Sequence, residues 1–147
     1  MYTQRSGLEI DYDELIDKCD RVFVYGSLKK EGFNHSLLYG STMLQVDRTK
    51  KPFVLGNVGY PYAFPEQVVP SKYKHLLFPV KGEVYKLDSD YTFAILDSLE
   101  GYPSHYIRTV VELESGLDAW MYQQVDWENN AKRCNACNLE GDTWVWH

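Results

Sequence analysis

The sequence predicts an α+β domain built around a small curled sheet or barrel of short strands. Three observations carry this reading. Apolar runs rich in β-branched and aromatic residues recur at the start, middle and end of the chain, punctuated by Gly and Pro turns. Few segments show helical spacing. The 147 residues, 44% hydrophobic and 24% charged, suffice for one buried core without disulfides or metal.

The elements follow in chain order. Residues 1–20 set Arg5 and Lys18 against Glu9, Asp11, Asp13, Glu14, Asp17 and Asp20. Within them Tyr12, Leu15, Ile16 and Cys19 fall at i, i+3, i+4 and i+7, one apolar stripe on a short helix. Val22-Phe23-Val24-Tyr25 reads as a buried strand that stops at Gly26-Ser27. Lys29 to Gly32 is loop-like, and Asn34 is placed to cap a short helix through Leu38. Residues 44–58 are strand material broken by Lys50-Lys51-Pro52, with a turn at Gly59-Tyr60-Pro61. Residues 61–79 hold four prolines and are expected to form an irregular loop.

Lys81 to Leu87 reads as a strand, with Glu83, Tyr85 and Leu87 on one side and Gly82 and Val84 on the other, close to a neighbour. Asp88 or Ser89 caps the next helix, whose stripe is expected at Tyr91, Ile95, Leu96 and Leu99 and whose end is Gly101. Tyr106 to Glu114 is a strand with Ile107, Thr109, Val111 and Leu113 on one face. Ser115-Gly116 turns it into a returning strand over Ala119 to Val125. The whole reads as a single domain over 1–147, with an acidic helical extension (1–20), a core (21–126) and a closing segment (127–147).

Net charge narrows the partners. At −6 the chain lacks the basic footprint of a nucleic-acid binder. Its longest uncharged stretch, Pro52 to Pro65, is interrupted by Pro and Gly and falls short of a membrane span. Met1 to Arg5 opens no apolar signal core, so a cytoplasmic location is expected. The odd set Cys19, Cys134 and Cys137 then reads as reduced thiols. No oligomeric state follows from the sequence.

Two places stand out chemically. Tyr25-Gly26-Ser27-Leu28 is a turn whose successive N–H groups can form an anion-binding concavity, although a strand ending in Gly-Ser is more often a plain turn. Glu100 ends a helix, where the dipole opposes a carboxylate, and Leu99 and Tyr102 are placed to exclude water. Both effects raise its pKa toward that of a general acid/base. The plainer alternative is an exposed last-turn residue or a partner for Arg108. Cys134 and Cys137 supply only two zinc ligands, with His147 terminal, so no metal is expected. His35 and His105 read as surface or loop residues.

Together these segments resemble the gamma-glutamyl cyclotransferase-like family. The resemblance runs from Val22-Phe23-Val24-Tyr25-Gly26-Ser27-Leu28-Lys29, through Asn34-His35 and Gly59-Tyr60-Pro61, to Val80-Lys81-Gly82-Glu83-Val84-Tyr85. It continues at Leu96-Asp97-Ser98-Leu99-Glu100-Gly101-Tyr102-Pro103, Tyr106-Ile107-Arg108, Ala119-Trp120-Met121-Tyr122 and Gly141-Asp142-Thr143-Trp144. The Asn-His pair is similar to the gamma-glutamylamine cyclotransferase subgroup. The resemblance implies a small mixed β-barrel with flanking helices. It implies that Tyr25, Gly26, Ser27 and Leu28 bind substrate, that Tyr106 lines the pocket, and that Glu100 is the catalytic acid/base. It implies release of 5-oxoproline and a free amine or amino acid from a small gamma-glutamyl substrate, with no metal or organic cofactor. Ser27 stands where the family commonly has threonine. The acidic N-terminal helix, the Pro61–Pro79 stretch and the cysteine-bearing tail have no evident counterpart. The competing readings are an inactive small-molecule-binding module on the same fold, and an interaction protein acting through its Cys134/Cys137 tail.

Overall fold

The computed structural model describes residues 10–147. The beginning of the acidic segment, with Arg5, Glu9 and the expected absence of a signal core, lies outside the described residues. Within them the acidic stretch forms α1 (Tyr12–Lys18), capped by the Asp11 side chain, which accepts the Glu14 N–H. Tyr12 and Cys19 of the expected stripe are buried.

The strand β1 (Arg21–Val24) is central in a five-stranded sheet. It pairs antiparallel with β5 (Lys81–Lys86) and parallel with β7 (Asp118–Gln123). The edges are β2 (Thr42–Arg48), beside β5, and β6 (Ile107–Glu112), beside β7. The sheet curls until its two edges meet at one end. Thr49 bridges Leu113, the Lys50 N–H donates to Glu112 O (3.1 Å), and the Glu114 N–H donates to Arg48 O (2.9 Å). This closure makes the mixed, barrel-like sheet. Because β1 is covered on both faces, its sequence is a continuous apolar run: Val22 and Val24 enter one core cluster, Phe23 and Tyr25 the other. Gly82 of β5 has no room for a side chain, since a Cβ there would collide with Val24 O and the Phe23 ring.

A second sheet orders β4 (Pro61–Pro65), β3 (Phe53–Asn57) and β8 (Asn135–Ala136). Its first strand corrects the expected irregular loop over 61–79. Pro61 and Pro65 sit at the two ends of an edge strand, where a missing N–H removes little, and their carbonyls remain available. Only the remainder of that stretch is turn-like, with short 3₁₀ segments at Glu66–Val68 and Ser71–Leu76. The chain ends with α3 (Trp127–Asn130) and the hairpin of β9 (Asn138–Glu140) and β10 (Thr143–Val145). Trp144 anchors this end through its indole N–H, which lies 3.0 Å from Phe53 O and 3.1 Å from Leu76 O.

The helix α2 (Asp90–Glu100) is capped by Ser89 and ended by Gly101 in the left-handed conformation (φ 66°). Its buried face corrects the expected stripe. Phe93, Leu96 and Asp97 face the core, whereas Tyr91 is 63% exposed. A similar correction applies to β6, where Arg108 is buried and Thr109 is exposed. The reason is one ion pair. Arg108 Nε lies 2.8 Å from Asp97 Oδ1 and Nη2 lies 2.9 Å from Oδ2, with both side chains 5% exposed. Apolar counting misses a charged pair that occupies core positions on both elements.

Removing one member of such a pair strands the other charge in the core. Arg108→Leu is expected to cost about 3–5 kcal/mol. Urea unfolding followed by circular dichroism checks this; an unchanged midpoint and slope would show that the pair does not hold the fold.

Candidate active site

The residues that the sequence singles out converge on one cavity of about 300 Å³. It lies where β1 ends, beside the start of β4 and the C-terminal end of α2. Tyr25, Gly26, Ser27, Leu28, Glu100 and Tyr106 all line it.

The turn after β1 is held on every side. Lys29 N–H donates to Gly26 O (3.0 Å), and Asn34 N–H donates to Ser27 O (3.0 Å). The Asn34 side-chain amide donates to Ser27 Oγ (2.8 Å), and His35 Nδ1 lies 3.0 Å from Leu28 O. The Lys30 N–H reaches Glu83 Oε1 (2.7 Å), and the Lys29 ammonium reaches Trp146 O (2.6 Å). The expected short helix after Asn34 is a 3₁₀ turn over His35–Leu38; the Asn34 side chain does not cap it but is spent on Ser27. The N–H groups of Ser27 and Leu28 meet no protein acceptor among the described residues. They are the donors an anionic or developing oxyanionic group requires.

Two glycines make this geometry possible. A Cβ on Gly26 would stand 2.8 Å from Pro61 Cγ, so this glycine admits the rigid proline ring of β4. A Cβ on Gly32 would collide with the Ser27 carbonyl. Gly32 therefore keeps the loop tight against the turn, a role that sequence spacing did not reveal.

Glu100 occupies the last turn of α2 with part of its surface open to the cavity. Its carboxyl is pushed up to about 7, first by burial and then by the negative charge of Asp97. Arg108, its partner in the plainer alternative, is instead consumed by Asp97. Among the described residues the Glu100 carboxyl has neither an ion-pair nor a hydrogen-bond partner. Its own carbonyl accepts the Tyr106 N–H (3.3 Å), which ties the helix end to the facing wall.

That wall is aromatic. Tyr106 OH donates to Pro61 O (2.8 Å) and Tyr25 OH donates to Tyr122 O (2.6 Å). Burial and the charge of Glu100 hold both phenols far above the usual tyrosine range, so they stay neutral. Their protons are committed to carbonyls, and both rings line the cavity. His105, expected as a plain loop residue, lines the cavity and packs edge-on against Tyr106, with ring centroids 4.8 Å apart.

The cysteines stand apart. Cys19 is buried beside Asp118 O and Arg21 O, while Cys134 and Cys137 flank β8. Burial raises all three thiols, Cys137 to about 11. No group of three or more His, Cys, Asp or Glu side chains able to hold a metal ion occurs among the described residues. A larger cavity of about 630 Å³, lined by Phe64, Tyr73, Trp127, Cys134 and Trp144, contains none of Tyr25, Gly26, Ser27, Leu28, Glu100 and Tyr106.

The curled mixed barrel thus sets the Glu100 carboxyl and the turn after β1 in the walls of one small cavity. The chain belongs to the gamma-glutamyl cyclotransferase, AIG2-like family, whose model matches residues 22–145. That span includes the proline stretch and most of the tail. The chain is 37% identical over 106 residues to a protein of Methanocaldococcus jannaschii, covering 69% of this chain and 81% of the relative. It is 38% identical over 101 residues to one of Vibrio cholerae, covering 69% and 78%. Both relatives bear the name "Putative gamma-glutamylcyclotransferase". The crystal structure of an AIG2-like protein from Mus musculus shares the fold, with a TM-score of 0.61 at 24% identity over 80% of this chain and 84% of that one.

The raised Glu100 pKa has a stability consequence. Between about pH 4.5 and 7 the folded state keeps a proton that the unfolded chain releases, so stability falls as pH rises through that window. The loss is on the order of 2 kcal/mol, allowing for screening by water in the cavity. Glu100→Gln removes this titration. The variant is expected to be more stable than the native chain above neutrality, and the gap is expected to close in mild acid. Urea unfolding across that pH range reads it directly; parallel curves would mean that Glu100 titrates like a surface carboxylate.

Proposed function

We propose that this protein cyclises a small gamma-glutamyl substrate, releasing 5-oxoproline and a free amine, with Glu100 as the general acid/base. The observation that carries the reading is the unpartnered Glu100 carboxyl, poised near neutrality across one cavity from the free N–H groups of Ser27 and Leu28. Family membership agrees with it.

The chemistry asks little of the protein beyond folding the substrate. A gamma-glutamyl group carries its nucleophile, the α-amine, and its electrophile, the γ-carbonyl. Attack closes a five-membered ring, so orientation supplies much of the acceleration. The α-amine arrives protonated. Glu100 in its ionised form takes that proton, the amine nitrogen bonds to the γ-carbon, and Glu100 returns the proton to the leaving nitrogen as the amide C–N bond breaks; the ring nitrogen gives up its second proton to the departing amine, which leaves as its ammonium form beside a neutral lactam. A carboxyl near 7 serves both steps at neutral pH. The turn amides hold substrate carboxylate or the oxyanion, and the Tyr25 and Tyr106 oxygens accept from the α-ammonium. Asp97 is excluded as the base because Arg108 and the Tyr12 and Tyr122 hydroxyls engage both of its oxygens.

Glu100→Gln is expected to lower kcat/KM for 5-oxoproline release by about 10²–10⁴-fold. The native enzyme's kcat/KM should rise with pH along an acid limb centred near 7, because the ionised carboxyl is the active form. Mass spectrometry of 5-oxoproline is the readout. Full turnover by the variant would remove Glu100 from the mechanism. Saturable binding without product in the native chain would favour a binding module.

A further inference from the structure

The larger cavity, of about 630 Å³, shares no lining residue with the candidate active site. Its size falls within the range of about 300–1,000 Å³ typical of cavities that hold small organic molecules. Segments that contribute nothing to the first cavity build this one. The 3₁₀ stretch Ser71–Leu76 and the tail over 127–136 meet over the second sheet.

Its lining is graded. Val54, Leu55, Phe64 and Trp144 are buried and form a floor. Tyr73, Leu76, Trp127 and Cys134 are half-buried and form walls, while Glu128 and Lys132 are exposed at the rim. Cys134 is set tightly against β3, where a Cβ on Gly56 would collide with its sulfur. An apolar patch merely left open to water has no such floor of buried side chains.

Three features define what fits. The first is the rings. Trp127 contacts both Phe64 and Tyr73, with centroids 4.9 and 5.4 Å apart and planes inclined by 70° and 47°. Rings inclined in this way offer faces and edges to a further flat ring. The second is charge. Glu128 and Lys132 are the charged residues of the lining, one of each sign, and neither forms an ion pair among the described residues. A charged ligand would lose water over the apolar floor and meet opposing signs at the rim. The third is hydrogen bonding. The Trp127 indole N–H and the Tyr73 hydroxyl have no protein partner among the described residues. Both can donate to an oxygen.

We propose that this cavity binds a small, flat, uncharged aromatic molecule bearing a hydroxyl or carbonyl oxygen. Its rings pack on Trp127, Phe64 and Tyr73, and its oxygen accepts from the Trp127 indole or the Tyr73 hydroxyl. The site is independent of Glu100 and stands whether or not the cyclotransferase reading does.

Cys134 lines the cavity and Cys137 does not, so thiol alkylation reports occupancy residue by residue. The native chain is treated with iodoacetamide with and without millimolar 2-naphthol, and each cysteine is followed by peptide mass spectrometry. 2-Naphthol is expected to slow alkylation of Cys134 by about fivefold or more while leaving Cys137 unchanged. Charged 2-naphthoate and 2-naphthylmethylamine, and saturated 2-decalol, are expected to bind about fivefold or more weakly. Ala131→Trp, which sets a large ring into the cavity from a half-buried position, should abolish the protection, with thermal unfolding as the check on the fold. Tyr73→Ala, which removes a wall instead of filling the space, should weaken the protection several-fold and keeps the test decisive if Ala131→Trp does not fold. No protection of Cys134 in the native chain would overturn the inference. So would equal protection of Cys137, protection that survives in the folded variants, or charged or saturated probes that bind as tightly as 2-naphthol.

Discussion

The buried pair of Asp97 and Arg108 is the constraint on which the site depends. The guanidinium binds the carboxylate through two nitrogens, and the Tyr12 and Tyr122 hydroxyls donate to the same carboxylate at 2.8 and 2.6 Å. The Tyr102 ring lies 3.9 Å from the guanidinium carbon, with Phe93 and Trp120 farther out. The carboxylate thus meets four donors, which is what allows two charges to stay out of water. The groups involved come from α1, α2, β6, β7 and the segment after α2. The pair fixes the position of the helix whose last residue is Glu100. It also takes the one cation that would have neutralised Glu100, while lending the negative charge that helps keep that carboxyl near neutrality. One interaction therefore sets both the place and the protonation of the proposed acid/base.

The opposing wall is fixed by a different economy, that of contact without side chains. Gly26 admits the Pro61 ring, Gly32 admits the Ser27 carbonyl, and Pro61 in turn accepts the Tyr106 hydroxyl. The amide donors of the turn are held in place before any ligand arrives, because Asn34, His35, Lys29 and Lys30 have bound the remaining polar groups of that loop. Donors fixed in this way need no reorganisation when charge develops opposite them. The tail contributes as well, since Trp146 receives the Lys29 ammonium and so keeps that charge off the cavity surface.

Strands buried on both faces and a helix bounded by Ser89 and Gly101 were legible because period and punctuation report them directly. Tyr25 to Leu28 and Glu100 each carried only a weak local signal, because a strand that stops at Gly-Ser is more often a plain turn and a last-turn carboxylate is often exposed. Their meeting in one cavity was not a local property; it came only through the family resemblance. Three features escaped for physical reasons. Strand β4 is flanked by prolines, which read as loop until its edge position is known. The faces of α2 and β6 were misassigned because Asp97 and Arg108 count as polar individually and become core only as a pair. Gly32 and Pro61 act through contacts with residues distant along the chain or across a turn, which no spacing rule registers.

The proposed ring closure makes unequal demands on the cavity. When nucleophile and electrophile sit in the same glutamyl group, the protein must grip that group at one end and leave the departing nitrogen within reach of a single carboxyl. Everything beyond that nitrogen is free to vary without touching the ring closure. The amide-lined turn and Glu100 belong to the first requirement, and they are held by buried, highly connected groups. Phe33, Tyr60 and Leu99 line the same cavity as exposed side chains. The proposed reaction thus asks for rigidity around Glu100 and the turn, which the buried, highly connected groups beneath them supply.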